Sequence, residues 1–482
     1  MTLFLHQPRG TLALTFLELL NTMVYFGTMV SLVLFLTHTV KLPSSRAYAV
    51  YGVYLATLYT LPLISGYAAD RFIGAQNAIL YGGILLLVGC LVFGIAGKSH
   101  YALAIAAIIL GTIFFKSSVP ALLGKIYTHQ TAAKESGFTL FYAGMNAGAI
   151  LGPIILGLTA SFWSWSIGFI VFSAVLAFML IFYAFLYRNF SQQDQYSTYA
   201  THPSWRGMVH IISVIAIGLM LVFLTFVFRF TYWYHWVAIG IMLLTLLFLI
   251  RLLKQEHSTT RKQLGILVFI NVVNVVFFAA ELQMGGSLAL FIKHHVNRQI
   301  FGWTLPTEFL TALLPLFVTI GPVLMLPYFR KLKNAPRHQR IFRRLMMSLA
   351  FAGLSFIAFA LTATYTAAHM NTSWGLLGIL IGYALLGFGE INIGPIAYAA
   401  VSYLAPVSLQ NTFMGIYYLF ISFSGYIAGG ISRLTVHDAL PSQTEAYSPI
   451  FLKLCLILWV TACVVALSYP LLKRVLTIKN TM

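Results

Sequence analysis

Apolar residues gather in long unbroken runs along this chain, not on one face of a helix or at alternate positions. The runs fall at 11–37, 49–69, 76–96, 101–124, 137–160, 164–187, 208–229, 232–252, 263–292, 308–329, 342–364, 373–403, 411–432 and 447–472, fourteen in all. A helix needs roughly 20 apolar residues to cross a bilayer, and segments apolar on every side belong in lipid or against other helices. A polar stretch, "RNFSQQDQYSTYATHPSWR" (188–206), follows the sixth run, and a basic one, "RLLKQEHSTTRKQ" (251–263), follows the eighth. The pattern predicts an all-α membrane protein with 14 transmembrane helices arranged 6+2+6. The expected divisions are an N-terminal six-helix bundle over 1–190, a linker with two extra transmembrane helices over 191–258, and a C-terminal six-helix bundle over 259–482.

Composition agrees: of 482 residues, 60% are hydrophobic and 8% charged, against about 25% charged in soluble domains. The first run is read as a retained helix rather than a cleaved signal. The net charge of +19 does not point to nucleic acid, because the basic residues lie between the runs. Twenty of the 29 fall on one side, eight on the other, and Lys116 lies within a run. That bias puts both termini in the cytoplasm. Cys90, Cys455 and Cys463 lie in apolar runs, so neither a disulfide set nor a metal site is expected. The histidines are scattered, and no nucleophile motif or phosphate loop is present. No enzyme activity, metal or cofactor is expected.

Away from the charged residues near run ends, Glu18, Lys116, Glu281 and Glu390 fall inside runs. Each costs about 2.5–3.5 kcal/mol at a bilayer centre and marks a functional site by default. Two six-helix halves with such groups suggest a transporter that binds cargo between them near the midplane. Lys116 needs a carboxylate to keep its proton in low dielectric, and Glu18 is the expected partner. Tyr25 follows Glu18 by two helical turns and shares its face. The direction of Glu281, and of its near neighbour Gln283, is not fixed by the residues around them. Gly144, Gly148 and Gly152 form a stripe that lets helices approach closely, with Asn146 beside it.

Several segments resemble the major facilitator superfamily and, within it, the proton-dependent oligopeptide transporters. "GYAADRFIGAQNAILYGG" (66–83) looks like the superfamily's loop signature, with Gly66, Asp70, Arg71 and Gly74 at the matching positions. "FFKSSVPALLGKIY" (114–127) and "ESGFTLFYAGMNAGAILGPII" (135–155) resemble the family's fourth and fifth helices. "LQMGGSLALFIKHHVNRQIFGWTLPTEFLTALLPLF" (282–317) is similar to its seventh and eighth, and "GFGEINIGPIAYAAVSYLAPVSLQNTFMGIYYLF" (387–420) to its tenth and eleventh. The resemblance implies the major facilitator fold. It assigns substrate binding to Tyr25, Tyr59, Lys116, Asn146, Glu390 and Tyr417, proton coupling to Glu18 and Lys116, and gating to Asp70 and Arg71, with Glu281 and Gln283 as further candidates. The first helix departs from the family's E-x-x-E-R, because Asn21 and Thr22 replace the second acid and the arginine. Phe26, Met29, Ser118, Leu282 and Leu314 also replace polar or charged family residues.

The expected function is secondary active transport, with proton-coupled uptake of di- or tripeptides or related zwitterions by alternating access. The competing expectation is a transporter of the same fold for a siderophore, amino-acid derivative or drug-like metabolite. The expected partners are the cargo, protons and lipid, without nucleic acid. A monomer in a bacterial inner membrane is expected.

Overall fold

The computed structural model describes residues 10–126, 131–190, 206–230, 258–369, 374–404, 410–435 and 447–478, with isolated positions between 240 and 254. Most of the predicted helix at 232–252 and of the polar stretch at 188–206 lies outside the described residues. The elements begin with α1 (Thr11–His38), α2 (Ser44–Thr60) and α3 (Pro62–Ala68). A π-helical turn, Ala69–Ile73, leads into α4 (Ala75–Ile126). Next come α5 (Thr131–Phe162), α6 (Trp165–Phe190), α7 (Arg206–Arg229) and α8 (Ser258–Glu281). After a 3-10 turn, Leu282–Gly285, follow α9 (Ser287–His295), α10 (Thr307–Thr311), α11 (Leu313–Leu324) and α12 (Leu326–Lys333). The chain ends with α13 (Arg337–Ala368), α14 (Trp374–Leu404), α15 (Gln410–Arg433) and α16 (Tyr447–Ile478).

Eleven helices among the described residues are long and apolar enough to cross a membrane. One of them covers two predicted runs, because α4 leaves helical geometry at Ala96 and His100, and α15 accounts for a further predicted run. The only sheet among the described residues is a hairpin of β1 (Gln299–Ile300) and β2 (Trp303–Thr304), with Gln299 opposite Thr304 and Ile300 opposite Trp303. Its two-residue turn has left-handed φ at Phe301 and Gly302, as a type I′ turn requires.

The chain packs into two compact units, Met1–Pro43 with Thr57–Trp233, and Ser44–Ala56 with Tyr234–Met482. In the first unit α1 lies on α5 almost backbone to backbone. A Cβ added at Gly144 would stand 2.7 Å from Thr15 Cγ2, one at Gly148 would strike the Leu19 carbonyl, and one at Gly152 the Met23 carbonyl. The glycine stripe is therefore a packing device that fixes α1, and with it Glu18 and Tyr25. The extra helix α7 packs on α4, where Tyr81 and His210 Nδ1 share a 3.1 Å hydrogen bond. Ile217 of α7 joins an apolar cluster of Ala69, Ile73, Ala78 and Phe114, so α7 braces the π-helical turn. That turn closes with a Gly74 N–H to Ala69 carbonyl bond of 2.8 Å, and Gly74 takes φ 81°.

In the second unit the first part of α2 is held by α15. A Cβ at Gly52 would lie 3.1 Å from Gly429 Cα, and Ser422 Oγ donates to the Ala56 carbonyl at 2.7 Å. The sequence predicts one helix over 263–292, but the structure breaks it between α8 and α9. Broken backbone is tolerated at membrane depth only where other groups satisfy it. Tyr51 Oη donates to the Leu282 carbonyl at 3.0 Å, and the Ser287 N–H donates to Ser432 Oγ at 3.2 Å. Gln283, 0% exposed, completes the repair. Its Nε2 donates to the Ala279 and Ala428 carbonyls, both at 3.1 Å. Its Oε1 accepts from Ser287 Oγ at 2.7 Å and Ser432 Oγ at 2.8 Å. All four hydrogen-bonding positions of the amide are occupied.

Two substitutions test this packing by thermal melting in detergent. Gly152→Val drives side-chain atoms into the Met23 carbonyl and is expected to cost about 1–3 kcal/mol, whereas Gly218→Val, with nothing within 4 Å of its Cβ, leaves the melting temperature unchanged. Gln283→Leu strands two hydroxyls and a carbonyl and is expected to cost about 1–3 kcal/mol; a melting temperature equal to that of the parent protein contradicts the repair role.

Candidate functional site

The first unit gathers its polar groups on α1, α2 and α4. The spacing Glu18, Asn21, Thr22, Tyr25 places all four side chains along one helical stripe. Glu18 is 3% exposed, and its Oε1 accepts from Asn21 Nδ2 and Thr22 Oγ1, each at 3.4 Å. The two residues that replace the family's acid and arginine thus serve as neutral donors to the remaining acid. Glu18 interacts electrostatically with Lys116, as expected from the sequence.

Lys116 comes from α4 and meets aromatic faces. Its Nζ lies 4.1 Å from the Tyr59 ring centroid and 5.5 Å from that of Tyr25. The ring quadrupole attracts a cation at this range, worth about 0.5–2 kcal/mol depending on how dry the site is. The two tyrosine hydroxyls are 2.8 Å apart, and Tyr25 Oη also donates to Met29 Sδ at 3.5 Å. With Tyr25 donating to the sulfur, Tyr59 supplies the proton of the shared bond. The structure therefore brings Glu18, Tyr25, Tyr59 and Lys116 into one cluster.

Other candidates fall elsewhere. Asn146 Nδ2 donates to the Tyr142 carbonyl of its own helix at 2.9 Å, an intrahelical bond that leaves its Oδ1 as an acceptor. Asp70 and Arg71 belong to the π-helical turn by their backbone, and their side chains lie outside the description. In the second unit Glu281 is buried on α8 and interacts electrostatically with Glu390 on α14. Tyr417 of α15 is buried, its ring centroid 5.5 Å from that of Tyr418. Gln283 is committed to the helix break described above.

Sequence reasoning did not single out Arg344, which stands at the start of the predicted run 342–364 beside a cluster of basic residues. The residue sits on α13, where Nη2 donates to the Ile391 carbonyl at 2.7 Å, one residue from Glu390. Its guanidinium carbon lies 5.3 Å from the Phe329 ring centroid. The flanking residues Ile341 and Leu345 are buried, and their i−3 and i+1 placement is the signal that would have put Arg344 at a helix interface.

Comparison with known proteins agrees with this architecture. A family model described as "POT family" matches residues 76–447. An uncharacterized transporter of Bacillus subtilis, YclF, is 26% identical, with 86% of each chain covered. The peptide transporter YePEPT of Yersinia enterocolitica is 25% identical, covering 98% of this chain and 96% of its own. Among solved structures, a peptide transporter POT in complex with sulfate superposes with TM-score 0.85 at 22% identity, over 98% of this chain and 96% of that one. A POT family transporter in complex with 5-aminolevulinic acid superposes with TM-score 0.81 at 19% identity, over 97% and 98%. The apolar helices, the major facilitator fold and the family match over 76–447 together make this multi-pass membrane protein a member of the POT family.

Proposed function

We propose that this chain is a secondary active transporter that takes up di- or tripeptides, or similar small zwitterions, together with protons. The observation that carries the reading is Lys116, held in an apolar helix by Glu18 and two tyrosine faces. A buried cation balanced by one carboxylate and two neutral rings can be released by adding a single proton. Protonation of Glu18 frees Lys116 for the carboxylate of the cargo, and loss of that proton restores the original pair. The acids Glu281 and Glu390 supply negative charge for an ammonium group. Relatives with names or titles that state a cargo agree in class: a dipeptide and tripeptide permease B of Yersinia enterocolitica, and a peptide transporter POT solved with alafosfalin.

The chain departs from the arginine fork that binds carboxylates bidentately. Lys116 acts as a point charge with less geometric selection, which suits a family in which one member is solved with 5-aminolevulinic acid. In this reading Asn146 and Tyr417 line the cargo path and Asp70 and Arg71 gate it. Both termini face the cytoplasm of a bacterium across its inner membrane, following the basic-residue bias. The protein works as a monomer without a cofactor. The six-two-six division at 190 and 258 separates two transport bundles from an accessory helix pair.

Proteoliposomes test the reading. Wild-type protein is expected to accumulate a dipeptide under an inward proton gradient, and Lys116→Ala to lose at least an order of magnitude of that uptake. Glu18→Gln is expected to depress gradient-driven uptake while leaving peptide counterflow near the wild-type rate. Absence of dipeptide uptake by the wild type, with uptake of an unrelated metabolite instead, overturns the peptide assignment. Equal uptake by Glu18→Gln overturns the Glu18–Lys116 switch.

A further inference from the structure

Polar groups that this reading leaves unused collect along one face of α8. Asn271 and Asn274 are 1% and 0% exposed. Neither the oxygen nor the nitrogen of either amide has a hydrogen-bond partner among the described residues. A buried polar atom left unmatched costs about 1–3 kcal/mol. Leucine at both positions would fill similar space without that cost, so packing alone does not account for two asparagines one turn apart. Buried polar sites of this kind hold ordered water, whereas sites that stay dry are apolar.

Helical geometry gives the direction. With 3.6 residues per turn, Asn271, Asn274, Phe278 and Glu281 fall within about 80° of one another around α8. Glu281 meets Glu390 of α14 on this side. The Phe277 ring borders the same face: it lies 3.0 Å from where a Cβ of Gly389 would stand, and the Ser348 carbonyl of α13 is 3.1 Å from that point. Gln283 reaches α15 instead. The neighbouring helices α13 and α14 carry further buried atoms without partners among the described residues, namely Ser348 Oγ, Ser355 Oγ and Asn392 Oδ1, and Glu281 Oε2 on α8 adds a fourth. Ser348 and Ser355 are seven residues apart and share a face of α13.

We propose that this seam, along α8 between Glu281 and Asn271 and bordered by α13 and α14, binds a file of water molecules that conducts protons to and from the Glu281–Glu390 pair. Ten residues of helix span about 15 Å. The asparagine amides and serine hydroxyls both donate and accept, so they can hold each water without fixing its orientation. The step is proton transfer alone. Glu281 gives its proton to the nearest water, each water breaks one O–H bond as it accepts another, and the last passes one proton to bulk water. The carboxylate left behind takes up a proton from the opposite direction, and no electrons change hands. The charged groups facing the file are Glu390 from α14 and Arg344 from α13. Those of α9, α15 and α16, namely Lys293, Arg433, Lys453, Lys473 and Arg474, lie near helix ends. Arg344 stands one residue from Glu390 through its bond to Ile391.

The uptake arm of the test rests on the transport function proposed above, while the first arm does not. X-ray radiolysis generates hydroxyl radicals from bound water, and mass spectrometry reads the side chains they oxidise. In the wild type, Phe277 is expected to be oxidised severalfold faster than Phe356, which is equally sheltered in an apolar part of the same unit. The Asn271→Leu/Asn274→Leu protein is expected to bring both to one rate. Equal rates in the wild type overturn the water file, and labelling that requires Na⁺ overturns it in favour of a cation. In proteoliposomes the double variant is expected to lose an order of magnitude in proton-driven dialanine uptake while keeping dialanine counterflow. Asn274→Ser, which retains a partner for water, is expected to keep both readouts and covers the case in which the double variant does not fold. If the wild type moves dialanine and Asn274→Leu matches it under a proton gradient, the conducting role is overturned. If the wild type moves no dialanine, the transport function fails while the labelling result still decides the seam.

Discussion

A membrane helix can break only if something else takes up the hydrogen bonds it releases. The 3-10 turn after Glu281 breaks the seventh helix of the chain's family pattern, and its repair recruits three other segments. Tyr51 arrives from α2, Ala428 and Ser432 from α15, and Ser287 from the start of α9. Gln283 joins them because an amide alone among small side chains both donates twice and accepts twice. Placing this residue with full satisfaction demands that α15 approach closely, and the glycines at 425 and 429 allow α2 to follow. The packing of the second unit around α15 is thus tied to one interruption in one helix.

The same shortage of solvent explains the chemistry of the first unit. An arginine on α1 would need two acceptors at fixed geometry, whereas Thr22 needs one and finds it in Glu18. With the fork absent, Lys116 is stabilised by two rings that carry no formal charge. Rings attract the cation without consuming it, so its charge is balanced mainly by a single acid. In the proposed function, a switch built on this pair has fewer parts than the family pattern.

Much of this was legible in the residues. The apolar runs gave the helices because burial in lipid imposes length, and the pairing of Glu18 with Lys116 followed from the cost of an isolated buried charge. The stripe at 144, 148 and 152 announced close helix packing because nothing but a missing side chain permits it. The break in 263–292 was less visible: Gln283 and the Gly285–Gly286 pair mark it only locally, and Tyr51, Ala428 and Ser432, which help to satisfy it, lie more than a hundred residues away in sequence. Arg344 was overlooked because it ends a cluster of basic residues that reads as a loop, although its helix begins inside that cluster at Arg337. Asn271 and Asn274 drew no notice at all, since an amide carries no charge to count and its cost appears only when burial and missing partners are known together.

The contact between α1 and α5 has a mechanical consequence. Three glycines spaced by four residues meet the carbonyl ridge of α1, and the residues between them carry side chains that the ridge would not admit. Sliding one helix along the other by a residue or two puts Cβ atoms into carbonyl oxygens; the next comfortable register lies a full glycine interval away, about 6 Å. The pair is therefore notched, and within a notch α1 and α5 shift only as a single rod, which carries Glu18 and Tyr25 wherever α5 goes.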